Sequence, residues 1–389
     1  MPDGCDDFLV EVVERLADIR REDWEACAGA DNPFVSYDFL SSLEDSDCAS
    51  ARTGWAPRHV LIRDALGQVL ACMPLYLKSH SHGEYIFDWS WAEAYERAGG
   101  RYYPKLLSAV PFTPVTGPRL LLHPDAPLSV RAHLLKAVTD LADRAHLSSV
   151  HLNFIEESAV EGMGESNFLH RTGLQYHWHN QDFSTYDDFL ATLNSRKRKA
   201  LKKERRLAQG DGSIIIERLC GSDIGPHHWD ALYAFYTDTG ARKWGQPYLN
   251  RDFFRLIGER LADRVLLVMA SKDGQIIAGA LNFIGTEALY GRYWGCLEEV
   301  KFLHFELCYH QAIEAAIERG LKRVEAGAQG EHKIARGYLP VLTHSTHFLT
   351  DTGFRAAVAD FLEQERKAVT QQQHVFLKES PYRQTDELG

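Results

Sequence analysis

The sequence predicts an α+β fold in two related halves, each a mixed, mostly antiparallel sheet flanked by helices. Three observations predict it. A hairpin pattern occurs twice, a Trp-containing helical segment precedes each copy, and an amphipathic helix feeding an apolar strand follows each. The 389 residues are 45% hydrophobic and 25% charged, an ordinary globular composition with enough chain for two cores.

The first hairpin joins His59-Val60-Leu61-Ile62-Arg63 to Gly67-Gln68-Val69-Leu70-Ala71-Cys72-Met73. The second joins Val265-Leu266-Leu267-Val268 to Gly274-Gln275-Ile276-Ile277-Ala278, and its Asp273-Gly274 turn is a strong hairpin signal. Upstream, Asp23-Trp24-Glu25-Ala26 matches His228-Trp229-Asp230-Ala231. Downstream come aromatic strands, expected over residues 84–89 and 288–294, then helices near 129–146 and 303–319. Each helix feeds a strand, at 149–154 and 323–328. The domains are expected at 1–183 and 184–370, with a C-terminal tail at 371–389. Neither a phosphate-binding G-x-x-x-x-G-K-[ST] loop nor a strand-linked G-x-G-x-x-G occurs, which argues against a nucleotide-hydrolysing or dinucleotide-binding fold.

A net charge of -11 disfavours DNA as a partner. The seven scattered cysteines contain no C-x-x-C pair, so reduced thiols and a cytoplasmic location are expected. The acidic start does not resemble a leader peptide, and no apolar run has the length of a membrane span. One segment opposes the global charge. Residues 196–206, Arg-Lys-Arg-Lys-Ala-Leu-Lys-Lys-Glu-Arg-Arg, carry +7 and leave -18 on the rest. A helix capped by Ser195 and stopped at Gln209-Gly210 is expected. Its like charges repel at i,i+4, so it either forms a solvated face or meets anions, with Arg196, Arg198 and Lys202 turned towards a ligand in an inter-domain groove.

The densest chemistry lies between His304 and His347. It includes Glu306, Cys308, Glu325, Gln329, His332, Lys333, Arg336 and Tyr338, with Gly327 and Gly330 bracketing Gln329. A carboxylate such as Glu325 inside an apolar strand is expensive unless paired, and Arg323 or Lys333 would pair it. No metal site is expected, because no ligand set has zinc spacing. Cys308 beside His304 or His310 is a weaker arrangement for a nucleophile than for a core thiol, and no G-x-S-x-G elbow is present. General-base chemistry on an amine, with amides and cations around a polarised carbonyl, is what remains.

The stretch Glu325-Ala326-Gly327-Ala328-Gln329-Gly330-Glu331-His332-Lys333, within residues 302–347, resembles the FemAB-like predicted N-acyltransferases called peptidoglycan biosynthesis/recognition proteins, in the GNAT superfamily. Asn194-Ser195-Arg196-Lys197-Arg198-Lys199 resembles the start of the second domain of Fem-type enzymes. The resemblance implies tandem GNAT-like domains. It also implies transfer of an acyl or aminoacyl group to a primary amine on a small molecule or a muropeptide-type cell-wall precursor. In that scheme Glu325 or Glu306 is the base, Gln329 orients the carbonyl and Tyr338 supplies a proton. His304, His332, Lys333, Arg336 and His347 bind substrate, as do Arg196, Arg198 and Lys202. Acyl-CoA or aminoacyl-tRNA is the implied co-substrate. The segments before the two helices, residues 296–301 and 122–127, lack the glycines of a pyrophosphate loop and carry acids, which tilts the expectation to charged tRNA. An acetyl-CoA-dependent N-acetyltransferase and a non-catalytic cell-wall or sugar-nucleotide recognition module are the alternatives.

Overall fold

The computed structural model describes residues 8–243, 247–328 and 330–383. The chain forms two compact units, Met1–Gly173 with Thr343–Val369, and Leu174–Leu342 with Thr370–Gly389. The contiguous blocks 1–183 and 184–370 with a tail at 371–389 are therefore corrected. Long-range pairing decides the membership. From His344 onward the strand Leu339–Leu349 pairs with Ser149–Ile155 of the first unit, whereas Tyr382 bridges Leu193 of the second.

In the first unit, Leu9–Val13, His59–Arg63, Val69–Met73 and Leu121–Leu122 form an antiparallel sheet. Trp55–Pro57, Tyr76–Lys78 and Lys105–Ser108 pair antiparallel, and Lys105–Ser108 then pairs parallel with Ser149–Ile155. The helix Ser129–Arg144 lays Val130, Leu134, Leu135, Val138 and Ala142 against Val60, Ile62, Leu70, Val150 and Leu152. The aromatic strand expected over 84–89 is absent; the helix Trp89–Arg97 begins there instead. Glu84 and Asp88 turn inward to the Lys105 ammonium, and that buried ion cluster overrides the local strand preference.

The second unit has the same plan. Ile214–Cys220, Val265–Lys272, Gln275–Ile284 and Ala288–Cys296 form an antiparallel meander. Ala288–Cys296 then pairs parallel with Arg323–Glu325, and that strand pairs antiparallel with residues 177–179. A helical run from Leu303 to Glu318, with one π turn over Glu306–His310, packs Leu303, Leu307, Ala312, Ile313 and Ala316 on Leu266, Val268, Ala280, Leu289 and Val324. Each such aliphatic side chain contributes about 1.5–3 kcal/mol on full burial. The helix Pro226–Lys243 also packs on Ala288–Cys296, close enough that a Cβ at Gly295 would stand 2.4 Å from the Phe235 carbonyl oxygen. Only glycine permits that approach. Each unit is thus an antiparallel hairpin sheet, a long helix and a parallel returning strand. This is the tandem GNAT-like α+β architecture.

Candidate functional site

The second unit concentrates the candidate chemistry where its parallel ladder ends. Ala288, Leu289 and Tyr290 pair with Arg323, Val324 and Glu325, and the ladder stops there while Ala288–Cys296 runs on. Opposite this end the neighbouring pairing slips by one residue, between Leu281 and Asn282. Such a bulge re-aims side chains next to a site. Gly291, Arg292, Tyr293 and Trp294 line a cavity of about 100 Å³ with Asn282 and Ala326, and His304, Cys308 and Tyr309 close it from the helix.

Alternation along the strand sends Val324 into the helix-side core and Glu325 to the opposite face. Glu325 is buried. Its Oε1 accepts from Arg323 Nε at 2.9 Å, while Oε2 has no hydrogen-bond partner and lies 3.8 Å from His177 Nε2. The pairing with Arg323 is one of the two that its position in an apolar strand suggested. Burial holds the His177 imidazole below its ordinary range, against the opposing pull of Glu325.

Glu306 stands in the π turn, fully buried, in a different setting. Arg205 bonds both of its oxygens at 2.9–3.1 Å, and Gln311 donates to Oε1 at 2.8 Å. Arg205 also reaches Glu314 at 2.9 Å and stacks on Tyr186. A carboxylate so enclosed and neutralised acts as a structural anchor. Arg205→Lys keeps the charge but loses the fork that bridges two carboxylates. It should cost about 1–3 kcal/mol in chemical denaturation, and an unchanged midpoint would contradict this role.

The basic helix runs Ser195–Ala208, and Asn194 rather than Ser195 caps it, accepting from the Lys197 N–H at 2.9 Å. Its inner side carries Leu201, Glu204 and Ala208. Glu204 accepts from Arg336 at 2.6 and 2.8 Å and bonds His310 Nε2 at 2.9 Å, and His310 Nδ1 meets the Tyr186 hydroxyl at 2.7 Å. Burial would raise the Glu204 carboxyl, but these partners hold it below its usual range. Lys202 pairs with Asp187 at 2.9 Å and, with Arg205 and Arg206, lines an open cavity of about 600 Å³. Arg196 is exposed and Arg198 half-exposed on the same helix.

The remaining candidates separate in role. Arg336 is committed internally, to Glu204, to the His332 carbonyl at 2.7 Å and to the Phe305 ring at 3.4 Å. Tyr338 is fully buried, its hydroxyl 3.4 Å from the Tyr309 carbonyl, and burial raises its pKa well above the ordinary value, which suits core packing better than proton supply. His332 is exposed, bonds the Tyr309 hydroxyl at 2.9 Å, and burial and then Arg336 lower its pKa. His304 is half-buried, lines the 100 Å³ cavity, and packs at 5.1 Å on Trp294. His347 belongs to the first unit, buried against His151 at 2.6 Å. Gln329 lies outside the described residues. Burial pushes the Cys308 thiol well up, so it is a protonated wall group and not a nucleophile. Among the described residues no group of three His, Cys, Asp or Glu is placed to hold a metal.

Lys333 is a buried amine donating to the Gly327 carbonyl at 2.8 Å, and burial pushes it down to about 7. Between that value and the unfolded 10.5 the unfolded chain binds more protons, so this group favours the fold increasingly as pH rises. The stability of wild type minus that of Lys333→Met should therefore rise from about pH 7 towards pH 10. A flat difference would show that the amine is not desolvated.

Two residues at the site are not singled out by the sequence reading. His177 sits in a strand that mixes polar and apolar residues. Asn282 is the one polar residue of Gly279-Ala280-Leu281-Asn282-Phe283, and a lone amide in an apolar strand is the signal that marks it.

A family model of FemAB-like proteins, described as peptidoglycan biosynthesis/recognition, matches residues 15–384. The chain belongs to this FemAB-like family. Among solved structures, FemX is similar at 12% identity and a TM-score of 0.54, covering 90% of this chain and 100% of its own. A conserved protein of unknown function from Bacteroides thetaiotaomicron VPI-5482 is similar at 13% identity and a TM-score of 0.50, covering 88% of this chain and 100% of its own. The structure of L-PGS from Bacillus licheniformis is similar at 10% identity and a TM-score of 0.49, covering 86% of this chain and 98% of its own. No curated protein sequence matches the chain. Among the described residues no helix is long and apolar enough to cross a membrane.

Proposed function

We propose that the chain transfers an acyl or aminoacyl group to a primary amine at the end of the Tyr290–Glu325 ladder. The observation that carries this reading is the Glu325 carboxylate. It is buried, anchored on one oxygen by Arg323, and has its other oxygen unpartnered. The amine that attacks the carbonyl carbon must give up a proton as the tetrahedral intermediate forms, and a fixed carboxylate with a free lone pair accepts it. The nearby His177 orients the carboxylate and relays the proton. Lys333, whose amine burial lowers to about 7, is the group for the developing oxyanion. The family description supports a cell-wall precursor as the amine acceptor.

The donor follows from charge. The open cavity of about 500 Å³ before the Leu303 helix is lined by Glu298 and Glu299 beside Lys301, a poor setting for the pyrophosphate of acyl-CoA. The Ser195–Ala208 helix instead directs Arg196, Lys199, Lys203 and Arg206 to solvent, as a phosphodiester chain requires. Aminoacyl-tRNA is the donor that fits. In a thermal-shift panel at low salt, charged tRNA should raise the melting temperature saturably and acetyl-CoA should not. Neutralising Arg196, Lys199 and Lys203 together should remove the tRNA shift. Saturable stabilisation by acetyl-CoA alone would replace this donor with acyl-CoA.

A further inference from the structure

The small cavity at the ladder end contains a hydrogen-bond acceptor that the transfer chemistry above does not use. Asn282 is 1% exposed. Its Nδ2 donates to the Leu266 carbonyl at 3.3 Å, which fixes the orientation of the amide, and its Oδ1 has no partner. An amide oxygen left unmatched at that depth costs about 1–3 kcal/mol, so a partner is expected in the space it faces. Gly291 defines that space. A Cβ built there would stand 3.3 Å from Asn282 Oδ1 and 3.6 Å from Ala326 Cα, so only glycine leaves the amide oxygen uncrowded on that side.

We infer that this cavity is a binding subsite for an uncharged N–H donor of the substrate, read by Asn282 Oδ1. The amide oxygen is an acceptor, so the matching group is a donor. The Arg292 guanidinium on the wall disfavours a cation, which selects an amide N–H or a neutral amine over an ammonium. Ala280, Gly291 and Ala326 give the cavity small walls, while Trp294 and Tyr309 supply flat apolar ones. A group of a few heavy atoms fits the volume of about 100 Å³. The subsite stands on this geometry alone. Only the choice between the substrate's amide and its reacting amine rests on the transfer reading.

The test uses the full chain and three small probes in ligand-observed NMR titrations. Acetamide presents an amide N–H, trifluoroethylamine, whose fluorines keep it unprotonated at neutral pH, presents a neutral amine, and acetone matches acetamide in shape without N–H. Acetamide or trifluoroethylamine should bind at least about tenfold more tightly than acetone, the difference one hydrogen bond makes. Preference for acetamide assigns the subsite to an amide-bearing chain, and preference for trifluoroethylamine assigns it to the reacting amine. Asn282→Leu should abolish the discrimination. Gly291→Ala, whose Cβ would stand 3.3 Å from Asn282 Oδ1, should weaken the two N–H donors more than acetone. Acetone binding as tightly as both donors, discrimination surviving in Asn282→Leu, or no probe binding to wild type would each overturn the inference. Because no turnover is measured, failure here leaves the role of Glu325 standing, and loss of that role leaves this subsite standing.

Discussion

Lys105→Met should destabilise the first unit by about 3–5 kcal/mol, because it strands two buried carboxylates. The Lys105 ammonium is fully buried and donates to Glu84 at 2.8 Å, to Asp88 at 2.5 Å and to Ser81 at 2.8 Å. Burial raises the Asp88 carboxyl, but the charges of Lys105 and His151 and the hydrogen bonds from Lys105 and Ser81 together outweigh it and hold Asp88 well below the ordinary range. For Glu84 burial wins and pushes it up to about 7. Lys78 is a poor substitute, since its ammonium is 3.8 Å from Glu84 and stacked on Trp55. Asp88 has a depressed folded pKa, so its stabilisation is present above the unfolded value of 3.8 and fades as pH falls through the folded one. The deficit of Lys105→Met should therefore be largest near neutrality and shrink as acid protonates the stranded carboxyls. Urea denaturation followed between pH 2 and 8 checks both statements. Adding Glu84→Gln and Asp88→Asn should recover most of the loss, since the cost lies in unpaired charge. A Lys105→Met loss below about 1 kcal/mol at pH 7 would show that the cluster is solvated.

Glu325→Gln should lower kcat by about 10²–10⁴-fold, equivalent to about 3–5 kcal/mol in the barrier. The amide keeps the size of the side chain and an oxygen for Arg323 Nε, so the fold and substrate affinity should hold. What disappears is the lone pair that takes the proton of the amine. A kcat loss with unchanged KM and melting temperature separates this role from a structural one. A raised KM at full kcat would mean that Glu325 only binds. Glu306→Gln, by contrast, removes one of the two counter-charges of Arg205 and should register mainly in stability.

The hairpins, the long helices and the returning strands are legible in the sequence because local periodicity and turn chemistry specify them. The exchange of residues 343–369 is not, since pairing of residues 344–349 with Ser149–Ile155 joins segments far apart in the chain. The failed strand at 84–89 has the same origin, because the aromatic run reads locally as a strand and only Lys105 explains why Glu84 and Asp88 turn inward. At the site, Glu325 is legible as a carboxylate in an apolar strand. The opposite fate of Glu306 is not, because its partner Arg205 lies in the basic segment, which reads from sequence as a uniform charge run. Tertiary contacts sort that run into an inner side that ties the unit together and an outer side turned to solvent.

Transfer to a primary amine is read by mass spectrometry of the acceptor. The wild-type chain is incubated with a mixture of aminoacyl-tRNAs, or in parallel with acyl-CoAs, and a UDP-linked muropeptide carrying a free lysine amine. The acceptor should gain the mass of one acyl or aminoacyl group on that amine. No gain is expected when the amine is dimethylated beforehand, and at least about a hundredfold less with Glu325→Gln. An acceptor that binds saturably yet stays unmodified with every donor would contradict transfer by this chain.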